Sequence, residues 1–103
     1  MKSSAVQTLW KRRGTLRIMA EIMEAANGGR LKTQIMYEVN LSFSQLNEYL
    51  SFLTEMGFLR VCVENRRRVY ETTDKGRLYI EKYLELSNLL RTQDPVEAQN
   101  LLR

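Results

Sequence analysis

Leu41-Ser42-Phe43-Ser44-Gln45 decides how this chain is read. Ser42 can cap the amides of a new helix, and Gln45, three residues on, can bond back to the Ser42 amide in a capping box. Downstream, Leu46, Tyr49, Leu50 and Leu53 recur at i, i+3, i+4 and i+7, one apolar stripe along that helix. Gly57 then supplies the residue without a side chain that suits a left-handed helix end. Upstream, the run from Thr33 to Val39 puts Ile35, Met36 and Val39 on one side of a short helix, with Thr33 as its candidate cap. Only Asn40 and Leu41 separate the two helices. Helices joined this tightly must turn sharply, the geometry in which a second helix can offer its N-terminal end to a major groove. Many helical hairpins take the same shape without touching DNA.

The following segment separates these alternatives. Leu59, Val61 and Val63 alternate with Arg60, Cys62 and Glu64 as in a half-buried strand, and Val69-Tyr70-Glu71-Thr72 reads as the returning strand. Between them, Asn65-Arg66-Arg67-Arg68 forms the tip, with Asn65 suited to a tight turn. Three consecutive arginines bury nothing there, and an anionic partner such as a phosphate backbone would relieve their mutual repulsion. A merely solvated turn is the competing account. Two helices, a sharp turn and an arginine-tipped hairpin together predict a winged helix-turn-helix. The fold class is mainly α with a small β-hairpin (α+β).

The chain's 103 residues suffice for one domain, and 44% apolar content is ordinary for a small core. No apolar run approaches the ~20 residues of a membrane span, and the start lacks the apolar block of a secretion signal. A cytoplasmic, nucleoid-associated protein with no membrane partner is expected. The one cysteine and absent histidine leave no zinc constellation and no internal disulfide. Cys62 is therefore read as a plain strand residue, an intersubunit bridge being the alternative. With no Gly-rich phosphate loop and no nucleophile paired with a base, neither an enzyme nor a cofactor is expected.

Net charge is +4, so placement matters more than total. Lys11, Arg12, Arg13 and Arg17 give four positive charges without an acid, and four arginines from Arg60 to Arg68 face Glu64 alone. From Asp74 onward, Lys75, Arg77, Lys82, Arg91 and Arg103 balance Asp74, Glu81, Glu85, Asp94 and Glu97. The second helix carries Glu48 and Glu55 and no base, so its contribution would be reading through polar groups rather than phosphate attraction.

An earlier helix is predicted from about Thr15 to Ala26, with Ile18, Met19, Ile22, Met23 and Ala26 inward and Asn27-Gly28-Gly29 as its stop. The methionines fall mostly at such core spacings. After the hairpin, Thr72-Thr73-Asp74-Lys75-Gly76 caps a helix running to roughly Arg91, before Asp94-Pro95. Tyr79, Ile80, Tyr83, Leu86 and Leu90 make a seam on it, with Leu78, Leu84 and Leu89 adding apolar surface nearby. A stripe so wide implies a partner helix, most simply from a second copy, unless it folds back on its own core. A two-fold dimer would present two recognition helices to paired half-sites. The divisions are an arm over 1–13, a winged domain over 14–76, a long dimerisation helix over 77–92 and a tail over 93–103.

Lys32-Thr33-Gln34-Ile35-Met36-Tyr37, followed by Leu41-Ser42, Tyr49-Leu50, Leu53, Gly57-Phe58-Leu59 and Tyr70-Glu71-Thr72-Thr73-Asp74-Lys75-Gly76, resembles the archaeal winged-helix family that includes the small Sulfolobus DNA-binding proteins. The resemblance covers about Arg13 to Leu90. It implies a homodimer joined by an antiparallel coiled coil of C-terminal helices and a chromatin-associated or transcriptional role on double-stranded DNA. It places Ser42, Ser44, Gln45 and Glu48 at recognition-helix positions and Arg66, Arg67 and Arg68 at the wing. The arm at Lys11 to Arg13 and the Pro95 tail depart from the family pattern, and viral regulators from archaeal hosts share the fold.

With Leu46, Leu50 and Leu53 inward, Ser44, Glu48, Ser51 and Glu55 turn outward, flanked by Gln45 and Asn47. Gln45 or Asn47 could bond adenine, Glu48 could accept from cytosine, and Ser44 suits phosphate or base. Gln45 is otherwise held in the capping box, and Glu48 otherwise repels phosphate and so discourages wrong registers. Arg66, Arg67 and Arg68 would grip phosphates or enter the minor groove, with Arg30, Lys32, Lys11, Arg12 and Arg13 adding backbone contacts. No small-molecule effector is legible. The competing role is a winged-helix protein-interaction module that does not touch DNA.

Overall fold

The computed structural model describes residues 14–91. Helix α1 (Thr15–Ala25) leads through a short strand β1 (Arg30–Leu31) into α2 (Lys32–Val39) and α3 (Phe43–Glu55). The hairpin β2 (Leu59–Glu64) and β3 (Arg67–Thr72) follows, then the 18-residue α4 (Asp74–Arg91). The three strands form an antiparallel sheet in the order β1-β3-β2. Strand β1 is absent from the sequence expectation because two residues carry no periodicity; it exists because Arg30 and Leu31 pair with Tyr70 and Val69.

The core gathers Met19, Ile22, Met23 and Ala26 from the α1 region, Ile35 and Val39 from α2, and Leu46, Leu50 and Leu53 from α3. Leu59 and Tyr70 close it from the sheet. Each buried Val, Leu, Ile or Met side chain among these contributes roughly 1.5–3 kcal/mol over exposure, so the expected stripes of α1, α2 and α3 hold the domain together. Ile35 and Leu46 are completely buried, locking α2 against α3 on opposite sides of the turn.

Local signals behave as the residue types dictate. Asn40 ends α2 at φ 58, a left-handed conformation that asparagine tolerates better than most residues. Gly57, at φ 85, follows α3, and the Phe58 amide reaches back to the Leu53 carbonyl at 2.8 Å while the Gly57 amide reaches Thr54 at 3.1 Å. These two bonds make the paired Schellman closure of a helix end. Thr33, by contrast, lies inside the first turn of α2; the Leu31 amide there donates to Gln34 Oε1 at 2.9 Å.

The base of the hairpin is wired into the helices. Thr72 Oγ1, buried, donates to the Met23 carbonyl, and the Thr73 amide donates to the Phe58 carbonyl at 3.0 Å. Thr73 Oγ1 accepts from the Gly76 amide at 3.1 Å and so caps α4. These bonds fix where the wing leaves the core and where α4 begins.

Candidate nucleic-acid interface

Helix α3 begins with the expected reciprocal cap: Ser42 Oγ accepts from the Gln45 amide at 3.1 Å, and the Ser42 amide donates to Gln45 Oε1 at 3.1 Å. Ser44, Gln45 and Glu48 are exposed around this end, Asn47 is half-buried, and Ser51 and Glu55 continue the outward face. The burial of Leu46, Leu50 and Leu53 sets that orientation, because residues three and four apart share one helix face.

Lys32, at the start of α2, bridges to α3. Its ammonium donates to Asn47 Oδ1 at 2.5 Å and sits 4.6 Å from the centre of the Phe43 ring. Arg30 is ion-paired with Glu38 at 3.2 Å on the surface. An exposed pair of this kind contributes about 0–1 kcal/mol, so a phosphate could exchange for Glu38 at little cost.

The hairpin differs from expectation at its tip. Asn65 and Arg66 alone form the two-residue turn, at φ 51 and φ 65, and Arg67 and Arg68 belong to β3. Both turn residues occupy the left-handed region because that backbone twist matches the right-handed twist of the strands. Arg67 pairs with Glu64, and Arg68 with Val63. Strand alternation then puts Arg68 on the face shared with buried Tyr70 and Thr72, while Arg67 shares the other face with Val69 and Glu71. Arg60, also counted in the basic run, donates through Nε and Nη2 to Glu71 Oε1 at 3.2 and 3.0 Å. That bond and the Glu71 charge raise its pKa, and its charge is balanced across the strands. Arg66, Arg67 and Arg68 make no ion pair among the described residues.

Helix α3 and the wing border one cleft of about 460 Å³, lined by Lys32, Asn47, Ser51, Glu55, Arg68 and Tyr70 among others. It brings Lys32, Asn47 and Arg68 together from three elements. Thr54 Oγ1 is buried beside it without a hydrogen-bond partner among the described residues. Ser42, Ser44, Gln45 and Glu48 lie outside the cleft lining, at and beyond the leading end of α3. Lys11, Arg12 and Arg13 fall outside the described residues, as does the tail over 93–103.

On α4, the expected seam divides. Tyr79 and Ile80 pack against the protein's own core, and Tyr79 donates its hydroxyl to the Leu16 carbonyl at 2.8 Å. The Tyr79 ring also meets Phe58 edge-on, with centroids 5.4 Å apart. Burial first, and the neighbouring Tyr83 second, push the Tyr79 hydroxyl up to about 12. Tyr83 and Leu90 are half-buried, whereas Leu86 is 40% exposed and Leu78, Leu84 and Leu89 are exposed as well. The side chains at 78, 86 and 89 share one flank of the helix. Tyr79 and Ile80 thus answer to the fold-back alternative, because α1 and Phe58 already cover them. An apolar groove of about 360 Å³ runs between Leu16, Phe58 and this flank of α4. The two concavities were invisible in the sequence, since each is assembled from elements far apart in the chain.

Among the described residues, no group of three or more His, Cys, Asp or Glu side chains could hold a metal ion. No helix among them is long and apolar enough to cross a membrane. The family model described as winged helix-turn-helix matches residues 12–91, and the chain belongs to that family. It is 30% identical to Sso10a-2, a DNA-binding protein from Sulfolobus solfataricus, whose crystal structure superposes with a TM-score of 0.68 over 88% of this chain and 98% of that one. An uncharacterized protein of Methanocaldococcus jannaschii is 34% identical over 77% of this chain, which spans 36% of that relative's length. The PcaV transcriptional regulator from Streptomyces coelicolor shares the fold at 21% identity, with a TM-score of 0.68 over 86% of this chain and 69% of that one.

Proposed function

We propose that this protein binds double-stranded DNA as a homodimer and serves as a transcriptional regulator or a chromatin-associated protein. The observation that carries the reading is the shared cleft: the polar face of α3 and the inner face of the wing flank one channel, with Lys32 and Arg68 on its borders. A duplex can therefore meet both at once. Ser44, Gln45, Asn47 and Glu48 would approach base edges in the major groove. Arg66, Arg67 and Arg68 would engage the flanking backbone or minor groove, with Lys32 and Arg30 adding phosphate contacts. Lys11, Arg12 and Arg13 are proposed to extend that contact from the N-terminal arm.

The second copy is proposed to dock on α4 through the flank of Leu78, Leu86 and Leu89, with Tyr83 and Leu90 at its margin. Leucines this exposed on a long helix are costly in water and attractive to an identical partner. Replacing Leu86 and Leu89 by Asp should yield monomers in sedimentation; an undisturbed dimer would remove the assignment.

The test of DNA binding is fluorescence anisotropy of a duplex across a salt series. The slope of log affinity against log salt is about −0.9 per neutralised phosphate, so changing Arg66, Arg67 and Arg68 to Gln should flatten it by up to ~2.7 for each protomer bound. An unchanged slope would count against the wing. A protein-docking role has its own support in Tyr37, 81% exposed, and Phe52, 46% exposed. Absence of duplex affinity at low salt, with tight binding to a purified protein partner, would favour it.

A further inference from the structure

The two carboxamides at the leading end of α3 share a constraint. Gln45 Oε1 accepts the Ser42 amide at 3.1 Å, and Asn47 Oδ1 accepts the Lys32 ammonium at 2.5 Å. A carboxamide offers an acceptor oxygen with two lone pairs and an NH2 with two donor hydrogens. In both residues the acceptor is the half tied down inside the protein, and neither NH2 has a partner among the described residues. The usual pairing of Asn or Gln with adenine uses both halves, the oxygen accepting from N6 and the NH2 donating to N7. Here one lone pair of each oxygen is already engaged and the internal bond fixes which way the amide plane turns, so the NH2 is the half left fully free to face outward.

We infer that α3 reads hydrogen-bond acceptors: Asn47 presents its NH2 to guanine, whose N7 and O6 lie side by side, Gln45, two residues back and on a different side of the helix, offers its NH2 to a separate acceptor, and Lys32 sets the guanine preference by holding Asn47. Adenine is disfavoured because its N6 amino group would face an NH2 donor. Glu48 completes the pattern in the opposite sense. When ionised it is acceptor-only, it is exposed one turn along the same end, and it matches the cytosine N4 donor. The half-site selected by α3 is therefore G·C-bearing, where residue type alone would have suggested adenine. Lys32 acts here as a positioning residue. Its ammonium sits over the Phe43 ring and fixes the Asn47 amide, so its removal changes which base is chosen as well as how tightly DNA is held.

This inference rests on the proposed DNA-binding role, and selection of bound duplexes from a random pool at physiological salt tests the two separately. The full chain should prefer guanine over adenine by about tenfold at one position of each half-site. Lys32→Met keeps an unbranched side chain while removing the ammonium that holds the Asn47 oxygen, so the guanine-to-adenine ratio at that position should fall to near one. Loss of a simple phosphate contact would weaken all sequences alike and leave the ratio unmoved. Asn47→Asp keeps a partner for Lys32 while exchanging NH2 for an acceptor, and should swing the same position toward cytosine. Adenine preferred by the unmodified protein, or an unmoved base ratio in either variant, would overturn the inference. A bound pool without preference at any position would also overturn it and leave DNA binding standing. A pool from which nothing is retained, even at low salt, would remove the DNA-binding role itself.

Discussion

Toward the core, the β2–β3 hairpin pairs Leu59 with Thr72 and Val61 with Tyr70; toward the tip it pairs Val63 with Arg68 and Glu64 with Arg67. Leu59, Tyr70 and Thr72 are buried, while Val63, Glu64, Arg67 and Arg68 are all exposed. The base makes a buried side-chain bond to α1 and backbone bonds to the helix ends, and it seats the first turn of α4. The tip touches none of these. One ladder thus divides in two: its base fixes direction, and its tip stands exposed, where the proposed DNA contact would be made. Substitutions at the base should cost stability, and substitutions at the tip should cost binding.

Gly76 offers the strongest way to break the base. A methyl group there would fall 2.5 Å from Thr72 Cγ2 and closer still to the Phe58 carbonyl oxygen. Backbone cannot yield as a side-chain end can, so Gly76→Ala should destabilise by about 3 kcal/mol. At fixed protein concentration, thermal melting should drop by roughly 12–24 °C. A melting point within two or three degrees of the parent, about what a shift under 1 kcal/mol would give, would show that α4 is not seated against the hairpin as described.

Thr72→Val tests the same base more gently. It keeps the shape and deletes the hydroxyl that satisfies the Met23 carbonyl, leaving a buried acceptor unpaired. The expected loss is about 1–3 kcal/mol by urea unfolding, with an unchanged m-value. DNA affinity measured well below the transition should stay within about twofold, since the tip is untouched. A large loss of affinity without loss of stability would erase the division between base and tip.

The sequence revealed most where a residue type has few local options. Ser42 with Gln45, Gly57 after the Leu46-Leu50-Leu53 stripe, and the Thr73 region before α4 each announce a terminus through chemistry acting within a few residues, and the structure agrees. Strand β1 was illegible because its pairing with β3 comes from about forty positions away. Arg66, Arg67 and Arg68 read as one basic tip, since turn length, and hence which arginine faces which side, depends on the partner strand's register. The Tyr79-Ile80-Tyr83 seam was ambiguous for a related reason: helical spacing shows that a face is apolar and not what covers it. For the same reason the bonds that hold the oxygens of Gln45 and Asn47 differed in legibility, the first being local and the second spanning fifteen residues.

At the tip, Arg66 sharpens the comparison. Its φ of 65 is a conformation that a two-residue turn of this kind prefers to fill with glycine. A left-handed L-residue costs about 1–2 kcal/mol, part of which glycine gives back through its greater unfolded-state freedom. Arg66→Gly should therefore stabilise the protein by about 0.5–1 kcal/mol while reducing the salt slope of duplex binding by ~0.9 for each protomer bound. Stability and binding moving in opposite directions is the signature of a residue retained for contact. A variant that binds as well as its parent would mean that Arg66 touches no phosphate.

Tyr79 gives an effect of similar size and probes where α4 packs against α1. Below pH 10.0 its hydroxyl is protonated in both folded and unfolded chains; above that, the unfolded chain loses the proton while the folded one keeps it until about 12. The unfolded state then binds fewer protons, so this group's contribution to stability is intact below the lower value and lost as pH rises toward the upper one. Tyr79→Phe removes the titrating group together with its bond to the Leu16 carbonyl. The variant should be slightly less stable at pH 8, and the gap should narrow by pH 11 in urea melts. The ring's burial against Phe58 survives in phenylalanine, so the loss at pH 8 should stay near the ~1 kcal/mol net value of a single hydrogen bond. Parallel curves from pH 8 to 11 would show that the hydroxyl is no more buried in the folded protein than in the unfolded chain, and that α4 is held to α1 by its aliphatic contacts alone.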